Sequence, residues 1–408
     1  MKTIISAIFV LFILSSEIFA CTTFIISGKY TQDGRPILFK NRDTDEMNNG
    51  LVLFTDGKYR YIGLVDGNEN NGTMVWGGYN ETGFAIINSA AYNNNTGDTS
   101  SLVDREGIVM KMALQSCRTL KDFEDMLNSM PKPLGVDANF GVIDAYGGAA
   151  YYETGNYDFK RYNADDSAVC ANGVLVRTNH SMRGELEKGF GFCRFRTATD
   201  ALTKAAVQKK LTPQFLFSIT SRNLTHSLTK TDLMKNLPPN DLQPDYRFFI
   251  DYIPRNSTAS VVMIVGANNE KKAGETMMWT ILGFPLTSVA LPVWITEDGT
   301  LPRAVTLNQD LRAPLCSAAL KLKEKCFPIT YDRGYNYINF AAVANRKNTG
   351  IMQLLQPVEK EIFKRGNAVA GSMAKGNKSD KDIKEFYGWI DQYLESSYKK
   401  IFAIDLGI

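Results

Sequence analysis

The chain contains few of the residues on which several common kinds of active site depend. Its 408 residues include only two histidines, His180 and His226, so the sequence argues against a metal site built from several histidines. It has no C-x-x-C pair, no G-x-S-x-G nucleophile elbow and no Walker phosphate loop. The segment "GFGFCR" lacks the third glycine of a dinucleotide-binding loop. The sequence therefore predicts chemistry that uses neither a metal nor a nucleotide cofactor.

An excess of one charge is also missing. Lys and Arg total 46 and Asp and Glu total 43, which gives a formal net charge of +3. The lysines are scattered along the chain rather than clustered. Nothing in this charge pattern favours a nucleic acid or an acidic polymer as partner.

Long apolar runs are absent except at the start of the chain. Residues 1–20 follow the pattern of a secretory signal peptide, in which Lys2 precedes the apolar stretch "IISAIFVLFIL" and Ala20 precedes the cut. This stretch is too short to span a bilayer, and no later stretch reaches ~18 apolar residues. We therefore expect an exported protein without a stable membrane span, either periplasmic or extracellular, whose mature chain begins at Cys21.

Six cysteines in an exported chain permit disulfide bonds. If Cys21 is kept free, five remain, so at least one further cysteine is unpaired. A ten-residue separation across a turn could be closed by a disulfide, and this makes Cys316 and Cys326 the best candidates for a pair. Two buried thiols at these positions are the alternative.

The order of the predicted elements indicates an α+β fold. Residues 21–41 alternate around a turn and predict a hairpin, and the pattern repeats around Asp56 and Gly57. A helical stretch over 107–130 is divided by the capping signal of Thr119 and Asp122. The end of the chain is helical again, with a second capping signal at Ser379. Blocks of strands that alternate with blocks of helices favour largely antiparallel sheets over a parallel β-α-β order.

Cys21 offers an unusual combination of groups once a leader is removed. Its thiol, with a pKa near ~8.5, and a free α-amine, with a pKa near ~7.7, would then share one carbon atom. The thiol can act as the nucleophile and the amine as the general base, so one residue supplies both functions. This combination explains how a catalyst could work almost without histidine. Acyl transfer by this route still requires donors for the tetrahedral oxyanion.

The start of the predicted mature chain, "CTTFIISGKYTQDGRPILFKNRDTD", resembles the cysteine-type N-terminal nucleophile (Ntn) hydrolases. The branch most similar to it holds isopenicillin N acyltransferase and its relatives, beside the choloylglycine hydrolases, which include bile salt hydrolase and penicillin V acylase. Further segments occur in the family's order over residues 21–290, namely "NETGFAIINSA", "NFGVIDAYGGAAYYET", "VRTNHS", "CRFRTATDAL" and "STASVVMIV". The resemblance implies a four-layer αββα sandwich with two stacked antiparallel sheets over residues 21–350. Residues 351–408 would form a helical tail packed on the same domain.

The resemblance also implies roles for residues near the start of the chain. Cys21 would be the nucleophile and base. Arg42 and Asp45 in "NRDTD" match the family's arginine and aspartate, of which the arginine supports the thiolate and the aspartate holds the α-amine. Asp43 is a near neighbour that could exchange roles with Asp45.

Three more positions match the family pattern further along the chain. Asn88 matches an asparagine of the oxyanion hole, and Asn179 matches the second active-site asparagine. A family arginine corresponds to Arg194 or Arg196 in "CRFR", with a spacing that is one residue tighter than the family's.

Together these observations predict an amidase or acyltransferase that acts on a linear, non-peptide amide C–N bond of a small N-acyl substrate. Two alternatives remain at this stage. The segment "IFAC" is close to a lipobox, and lipidation of Cys21 would make the chain a ligand-binding surface lipoprotein. The opening "CTT" is also shared with N-terminal-cysteine dipeptidases. The sequence leaves open the acyl group, the leaving amine and the oligomeric state.

Overall fold

A computed structural model describes residues 20–68, 72–376 and 380–408. The predicted signal peptide, apart from Ala20, and the predicted helix cap at Ser379 lie outside the described residues. The strands are β1 (Thr22–Ile26), β2 (Ile37–Asp43), β3 (Asn49–Phe54), β4 (Tyr61–Asp66), β5 (Gly77–Asn80), β6 (Ala85–Ala90), β7 (Ala138–Ile143), β8 (Ala149–Thr154), β9 (Phe159–Asn163), β10 (Val174–Arg177), β11 (Tyr246–Phe248), β12 (Thr258–Val265), β13 (Met277–Leu282), β14 (Leu291–Val293) and β15 (Tyr337–Asn339). The α-helices are α1 (Glu106–Ser116), α2 (Leu120–Ser129), α3 (Phe192–Val207), α4 (Pro213–Ile219), α5 (Pro314–Cys326), α6 (Phe340–Val343), α7 (Ile351–Ala374) and α8 (Asp380–Phe402).

Two antiparallel sheets form the centre of the molecule. The first has six strands in the order β10-β1-β2-β12-β13-β14, and the second has seven in the order β3 to β9. A Cβ added to Gly141 on β7 would lie only 3.0 Å from the Leu38 side chain on β2. The two sheets therefore stack closely. Helices α1 and α2 cover the outer face of the second sheet, and α3, α5 and α7 cover the first. This is the predicted αββα arrangement, and the predicted α+β class is confirmed.

The hairpins predicted from alternation are present. Strand β1 pairs with β2 so that Thr22 lies opposite Asn41 and Thr23 opposite Lys40. Strands β3 and β4 meet around the predicted Asp56–Gly57 turn. Because side chains alternate between the two faces of a strand, this register places Cys21 and Lys40 on the face of the first sheet that is directed at the second sheet.

The predicted division of the first helical region is also confirmed. Thr119 precedes α2, and its side chain accepts a hydrogen bond from the Asp122 backbone N–H while the Asp122 carboxylate accepts one from the Thr119 N–H. This reciprocal capping satisfies two N–H groups at the start of α2. It allows the chain to change direction between the end of α1 at residue 116 and the start of α2 at residue 120.

The last two long helices pack on the rest of the molecule. The ring of Phe363 on α7 stacks on that of Trp279 on β13, with centroids 4.3 Å apart. At Gly366, a Cβ would lie 2.8 Å from Pro292 and 3.0 Å from Trp279, so the helix approaches the sheet at a residue without a side chain. The division into 21–350 and 351–408 stays a prediction.

The predicted disulfide between Cys316 and Cys326 is wrong. Both residues lie on α5, where ten residues correspond to about 15 Å of rise, and a disulfide requires Cα atoms within about 7 Å. The alternative prediction of two buried thiols is confirmed, because both are free and fully buried. Burial raises the pKa of Cys316 to about 11 and that of Cys326 to about 12, so both thiols stay protonated and unreactive near neutral pH.

None of the helices in the described part of the chain has both the length and the apolar character needed to cross a membrane.

Candidate active site

Cys21 stands immediately before β1 and lines a cavity of about 500 Å³. Both sheets contribute to the walls of this cavity, with Lys40 and Arg42 from β2 and Asn88 from β6. Cys21 itself is only 8% exposed. Its nitrogen is joined to Ala20 in the described chain, so this nitrogen becomes an amine only if that peptide bond is cut. The arrangement presents one thiol in the wall of a pocket large enough for a small molecule.

Lys40 is a buried cation beside Cys21 that the sequence analysis did not single out. Its Nζ donates to Asn88 Oδ1 at 2.6 Å and to the Trp76 carbonyl at 2.8 Å. Burial lowers the pKa of Lys40 to about 8, and interaction with Cys21 partly offsets this effect. Lysine is rarely buried, so a lysine within the apolar strand "ILFKN" was the sequence signal that could have identified Lys40 as a candidate site residue.

Arg42 lies on the same face of β2 but is fully engaged by neighbours. Its guanidinium makes a two-pronged ion pair with Asp66 at 2.6 and 3.0 Å and donates to Asn49 Oδ1 at 2.7 Å. Trp76 covers the guanidinium with its ring centroid 4.7 Å away, and the Trp76 ring N–H donates to Asp66. This buried network fixes one wall of the cavity, so Arg42 has a structural task in addition to any role near the thiol.

We expect Arg42→Ala to lower the free energy of unfolding by about 3–5 kcal/mol, because it leaves the buried Asp66 carboxylate without its cation. Urea denaturation measures the loss. The double variant Arg42→Met with Asp66→Leu is expected to regain most of it, since both charges are then removed together.

The matched surface comparison is Arg60→Ala, which breaks an ion pair with Glu81 whose side chains are 36% and 34% exposed. It is expected to cost at most about 1 kcal/mol. A loss at Arg42 no larger than the loss at Arg60 would contradict the assigned structural role.

The two candidate aspartates differ in environment. Asp43 is buried and accepts hydrogen bonds from Thr258 Oγ1 at 2.6 Å and Arg255 Nε at 2.9 Å. Burial raises its pKa, against the opposing effect of Arg255. Asp45 is exposed at the edge of the cavity. Continuing the β1–β2 register places Ala20 opposite Asp43, so Asp43 lies nearer than Asp45 to the nitrogen that a cut after Ala20 would release.

The two candidate asparagines occupy different positions. Asn88 lines the cavity, and its Oδ1 accepts the Lys40 hydrogen bond, which directs the amide Nδ2 away from the ammonium. Asn179 is fully buried just after β10. Its Nδ2 donates to the Ala90 carbonyl at 2.9 Å, and its Oδ1 accepts from Arg194 at 2.9 Å. Asn179 therefore connects the ends of β10 and β6 beside the cavity.

Of the two candidate arginines, Arg194 lies beside Cys21. Its Nη1 donates to the Cys21 carbonyl at 2.6 Å and to Thr22 Oγ1 at 3.0 Å. Burial lowers the pKa of Arg194 to about 10, and the nearby Arg255 contributes to the shift. Arg196 is exposed and lies over the Phe192 ring instead. The structure thus brings Cys21, Asn179 and Arg194 together and leaves Arg196 outside.

Glu106 is a second buried group that the sequence analysis missed. It is the first residue of α1, is 9% exposed and lines the cavity. Its Oε1 accepts the Asp137 backbone N–H at 2.9 Å. Burial raises the pKa of Glu106 to about 7, and the nearby carboxylates Asp104 and Asp137 add to the increase. No local sequence signal predicts this position, because residues that are distant in sequence form its surroundings.

A group with the spacing of metal ligands lies away from the cavity. Cys193, His226 and Asp251 offer ligand atoms within 4.8 Å of one another, and they are the only such group found among the described residues. The Thr229 backbone N–H donates to His226 Nδ1 at 3.1 Å, which leaves the ring proton on Nε2. A metal-binding histidine normally donates with its second nitrogen, so this arrangement does not suit a metal ion.

Comparison with known proteins identifies the fold. The sequence model of the family described as "Acyl-coenzyme A:6-aminopenicillanic acid acyl-transferase" matches residues 30–210, a range that runs from the β1–β2 turn to the end of α3. This match supports an Ntn-hydrolase fold of the choloylglycine hydrolase type. The match agrees with the predicted resemblance and supports an enzyme of the amide-hydrolysing or acyl-transferring class.

Solved Ntn structures also show some likeness to the chain. An N-acylethanolamine-hydrolyzing acid amidase ortholog from Caenorhabditis elegans is 16% identical over 60% of this chain and 92% of its own, with a TM-score of 0.41. Penicillin V acylase from Agrobacterium tumefaciens is 15% identical over 68% and 87%, with a TM-score of 0.41. A conjugated bile acid hydrolase mutant from Clostridium perfringens is 10% identical over 67% and 92%, with a TM-score of 0.40. These sequence identities and TM-scores are too low to support an inference about the substrate. No curated protein matches this chain.

Proposed function

We propose that this Ntn enzyme is an exported cysteine amidase that cleaves a linear, non-peptide amide C–N bond of a small N-acyl substrate. In this proposal Cys21 becomes the first residue after removal of residues 1–20. The observation that carries the proposal is the position of the Cys21 thiol in a cavity of about 500 Å³, beside the Lys40 ammonium and near Asn88. An isolated structural cysteine would not require a buried cation next to it.

The first half of the proposed reaction forms a thioester. The Cys21 α-amine accepts the thiol proton while the sulfur attacks the amide carbonyl carbon. A tetrahedral oxyanion forms. The resulting α-ammonium then gives its proton to the nitrogen of the leaving amine, the C–N bond breaks, and the acyl group remains on sulfur.

The second half releases the acyl group. Water attacks the thioester carbonyl, and the α-amine accepts a proton from that water. The carbon–sulfur bond breaks, the α-ammonium returns its proton to the sulfur, and the carboxylic acid leaves. An amine acceptor in place of water would give acyl transfer by the same steps. Hydrolysis is the proposed outcome, because coenzyme A donors are scarce outside the cytoplasm.

Three neighbouring groups have proposed tasks in these steps. Asn88 donates through Nδ2 to the oxyanion, since its Oδ1 is already occupied by Lys40. The Lys40 ammonium stabilises the negative charge that develops on sulfur and oxygen. Asp43 holds the α-amine, as the β1–β2 register and its burial favour it over Asp45 for this task.

Arg194 and Asn179 have a proposed positioning task. Arg194 donates to the Cys21 carbonyl and to Asn179, which in turn donates to the Ala90 carbonyl. These bonds hold the backbone of Cys21 against the ends of β10 and β6. Fixed geometry of this kind reduces the reorganisation needed during the reaction.

The state of the N-terminus tests the proposal directly. We expect the intact mass of the purified native protein to match residues 21–408 with an unmodified Cys21, because both the thiol and the amine must be free. A diacylglyceryl adduct on Cys21 would contradict the amidase and support the surface lipoprotein. Turnover of dipeptides in preference to N-acyl amides would instead support the dipeptidase.

A further inference from the structure

The cavity beside Cys21 is lined by many more acidic than basic side chains. Lys40 and Arg42 are its two cations. The lining carboxylates are Asp43, Asp45, Glu46, Asp66, Asp104, Glu106 and Asp137. A concave site with charges of one sign concentrates ligands of the opposite charge.

Two of these carboxylates are already neutralised by protein cations. Asp66 pairs with Arg42 at 2.6 Å, and Asp43 pairs with Arg255 at 2.9 Å. Their charges therefore contribute little to the potential that a ligand would meet. The excess negative charge comes from carboxylates elsewhere on the wall.

Asp104, Glu106 and Asp137 form a separate group, which we call the acidic wall. Asp104 and Asp137 both act on the pKa of Glu106, so the three carboxyl groups lie close to one another. Within the described residues, none of the three forms an ion pair with Lys or Arg. Glu106 is more than nine-tenths buried and lines the cavity, and its carboxylate accepts hydrogen bonds from backbone N–H groups, that of Asp137 at 2.9 Å and its own. Of the three, Asp104 is exposed, Asp137 is half-buried and only Glu106 is buried. A buried carboxyl group without a cationic partner costs free energy, so the position of Glu106 favours a role in ligand binding.

The acidic wall lies close to the nucleophile. Burial raises the pKa of Tyr92, and the further contributions come from Cys21, Glu106 and Asp104, in that order. Tyr92 also lines the same cavity as Cys21 and the acidic wall, so these groups share one space. A substrate of modest length can contact the two at once.

The spacing of the acidic wall distinguishes between kinds of cation. A single metal ion needs ligand atoms that converge, and the acidic wall does not appear among the convergent groups of the described residues. An organic ammonium group has no such requirement, because it donates several hydrogen bonds to acceptors that are spread around it.

We propose that the substrate carries a protonated amine, which binds the acidic wall while the amide carbonyl reaches Cys21. This inference rests on the proposed function and specifies its substrate class as N-acyl amides with an ammonium group. Leu102 and Val103 are 40% and 60% exposed beside Asp104 and provide apolar surface for the methylene chain of such a substrate.

Three synthetic amides of similar length test the inference. N-Hexanoyl-1,4-diaminobutane carries the ammonium on the amine side, 6-aminohexanoyl-butylamide carries it on the acyl side, and N-hexanoyl-pentylamine is neutral. We expect kcat/KM for one of the two cationic amides to exceed that for the neutral amide by about tenfold or more at low ionic strength. The ratio is expected to fall as salt is added.

Variants assign the preference to the acidic wall. Asp104→Asn and Asp137→Asn keep the side-chain shape and an acceptor oxygen but remove the charge, so they are expected to reduce the ratio towards one. Asp125→Asn removes an exposed carboxylate on α2 outside the cavity and is the matched control. Its ratio is expected to equal that of the wild type.

Calorimetric titration of the mature protein with 1,4-diaminobutane gives a measurement that does not depend on turnover. Binding that Asp104→Asn and Asp137→Asn abolish supports the acidic wall even if none of the three amides is cleaved, an outcome that would count against the proposed function alone. Turnover that depends on Cys21 but is equal for neutral and cationic amides would overturn this inference and leave the proposed function standing. Absence of diamine binding to the wild type would also overturn it.

Discussion

Cys21→Ser is expected to lower kcat/KM for an N-acyl amide by roughly 10³-fold or more while the protein still folds. A serine hydroxyl is far less acidic than a thiol, so an α-amine of ordinary basicity removes its proton much less readily. Cys21 stands just before β1, lines the cavity and makes no disulfide, so the small change in size costs little stability. Cys21→Ala should remove the remaining activity, because no nucleophile is left.

The measurement is the initial rate with a soluble N-acyl amide, combined with thermal unfolding of each variant. Cys170→Ser is the matched control. The Cys170 thiol donates to the Val174 carbonyl at 2.9 Å outside the cavity, and a serine hydroxyl can replace that hydrogen bond. This variant should keep the wild-type rate. Turnover by Cys21→Ser at the wild-type level would reject Cys21 as the nucleophile.

The part of the fold near the site was predictable because its signals are local. The alternating residues of "CTTFIIS" and "PILFKN" predict two strands, and the intervening turn predicts their pairing. Asp56 with Gly57 predicts the next hairpin, and Thr119 with Asp122 predicts the break between α1 and α2. In each case the decisive residues are within a few positions of one another.

The wrong disulfide shows where local reasoning failed. A separation of ten residues is compatible with a turn or with a helix, and only the helix separates Cys316 from Cys326 by about 15 Å. The segment between them is rich in Ala, Leu and Lys, which are good helix formers, so helix propensity was the signal to weigh.

The candidate site was predictable only in part, because its geometry depends on register. The turn between β1 and β2 decides which residue of "FKNRDTD" lies beside Cys21, and the sequence does not fix how that turn folds. For this reason the sequence left Asp43 and Asp45 as alternatives and did not single out Lys40, whereas in the structure Asp43 is the buried aspartate and Lys40 shares the buried face of β2 with Arg42. Glu106 enters the cavity from α1, and no spacing in the sequence relates it to Cys21.

Lys40→Met is expected to lower kcat/KM by about 10²-fold, because it removes a buried positive charge beside the nucleophile but keeps a side chain of similar length. Lys40→Arg keeps the charge and is expected to retain much more activity than Lys40→Met. If Lys40 had only a structural role, Lys40→Met would also lose activity. The pH profile is therefore the decisive measurement.

The pKa of Lys40, lowered by burial to about 8, fixes the direction of that profile. Lys40 is an ammonium below this pH and a neutral amine above it, so the supporting charge is lost as pH rises through 8. The wild-type rate should therefore decline on the alkaline side of 8. Arginine stays charged throughout this range, so the decline should disappear or move to higher pH in Lys40→Arg.

Lys323 provides the matched control for this experiment. Burial lowers its pKa to about 8 as well, but it contacts Met47 and does not line the cavity. Lys323→Met should keep the alkaline decline of the wild type, because Lys40 is unchanged. An identical pH profile in the wild type and Lys40→Arg, together with a wild-type rate in Lys40→Met, would show that the charge of Lys40 does not act on the reacting thiol.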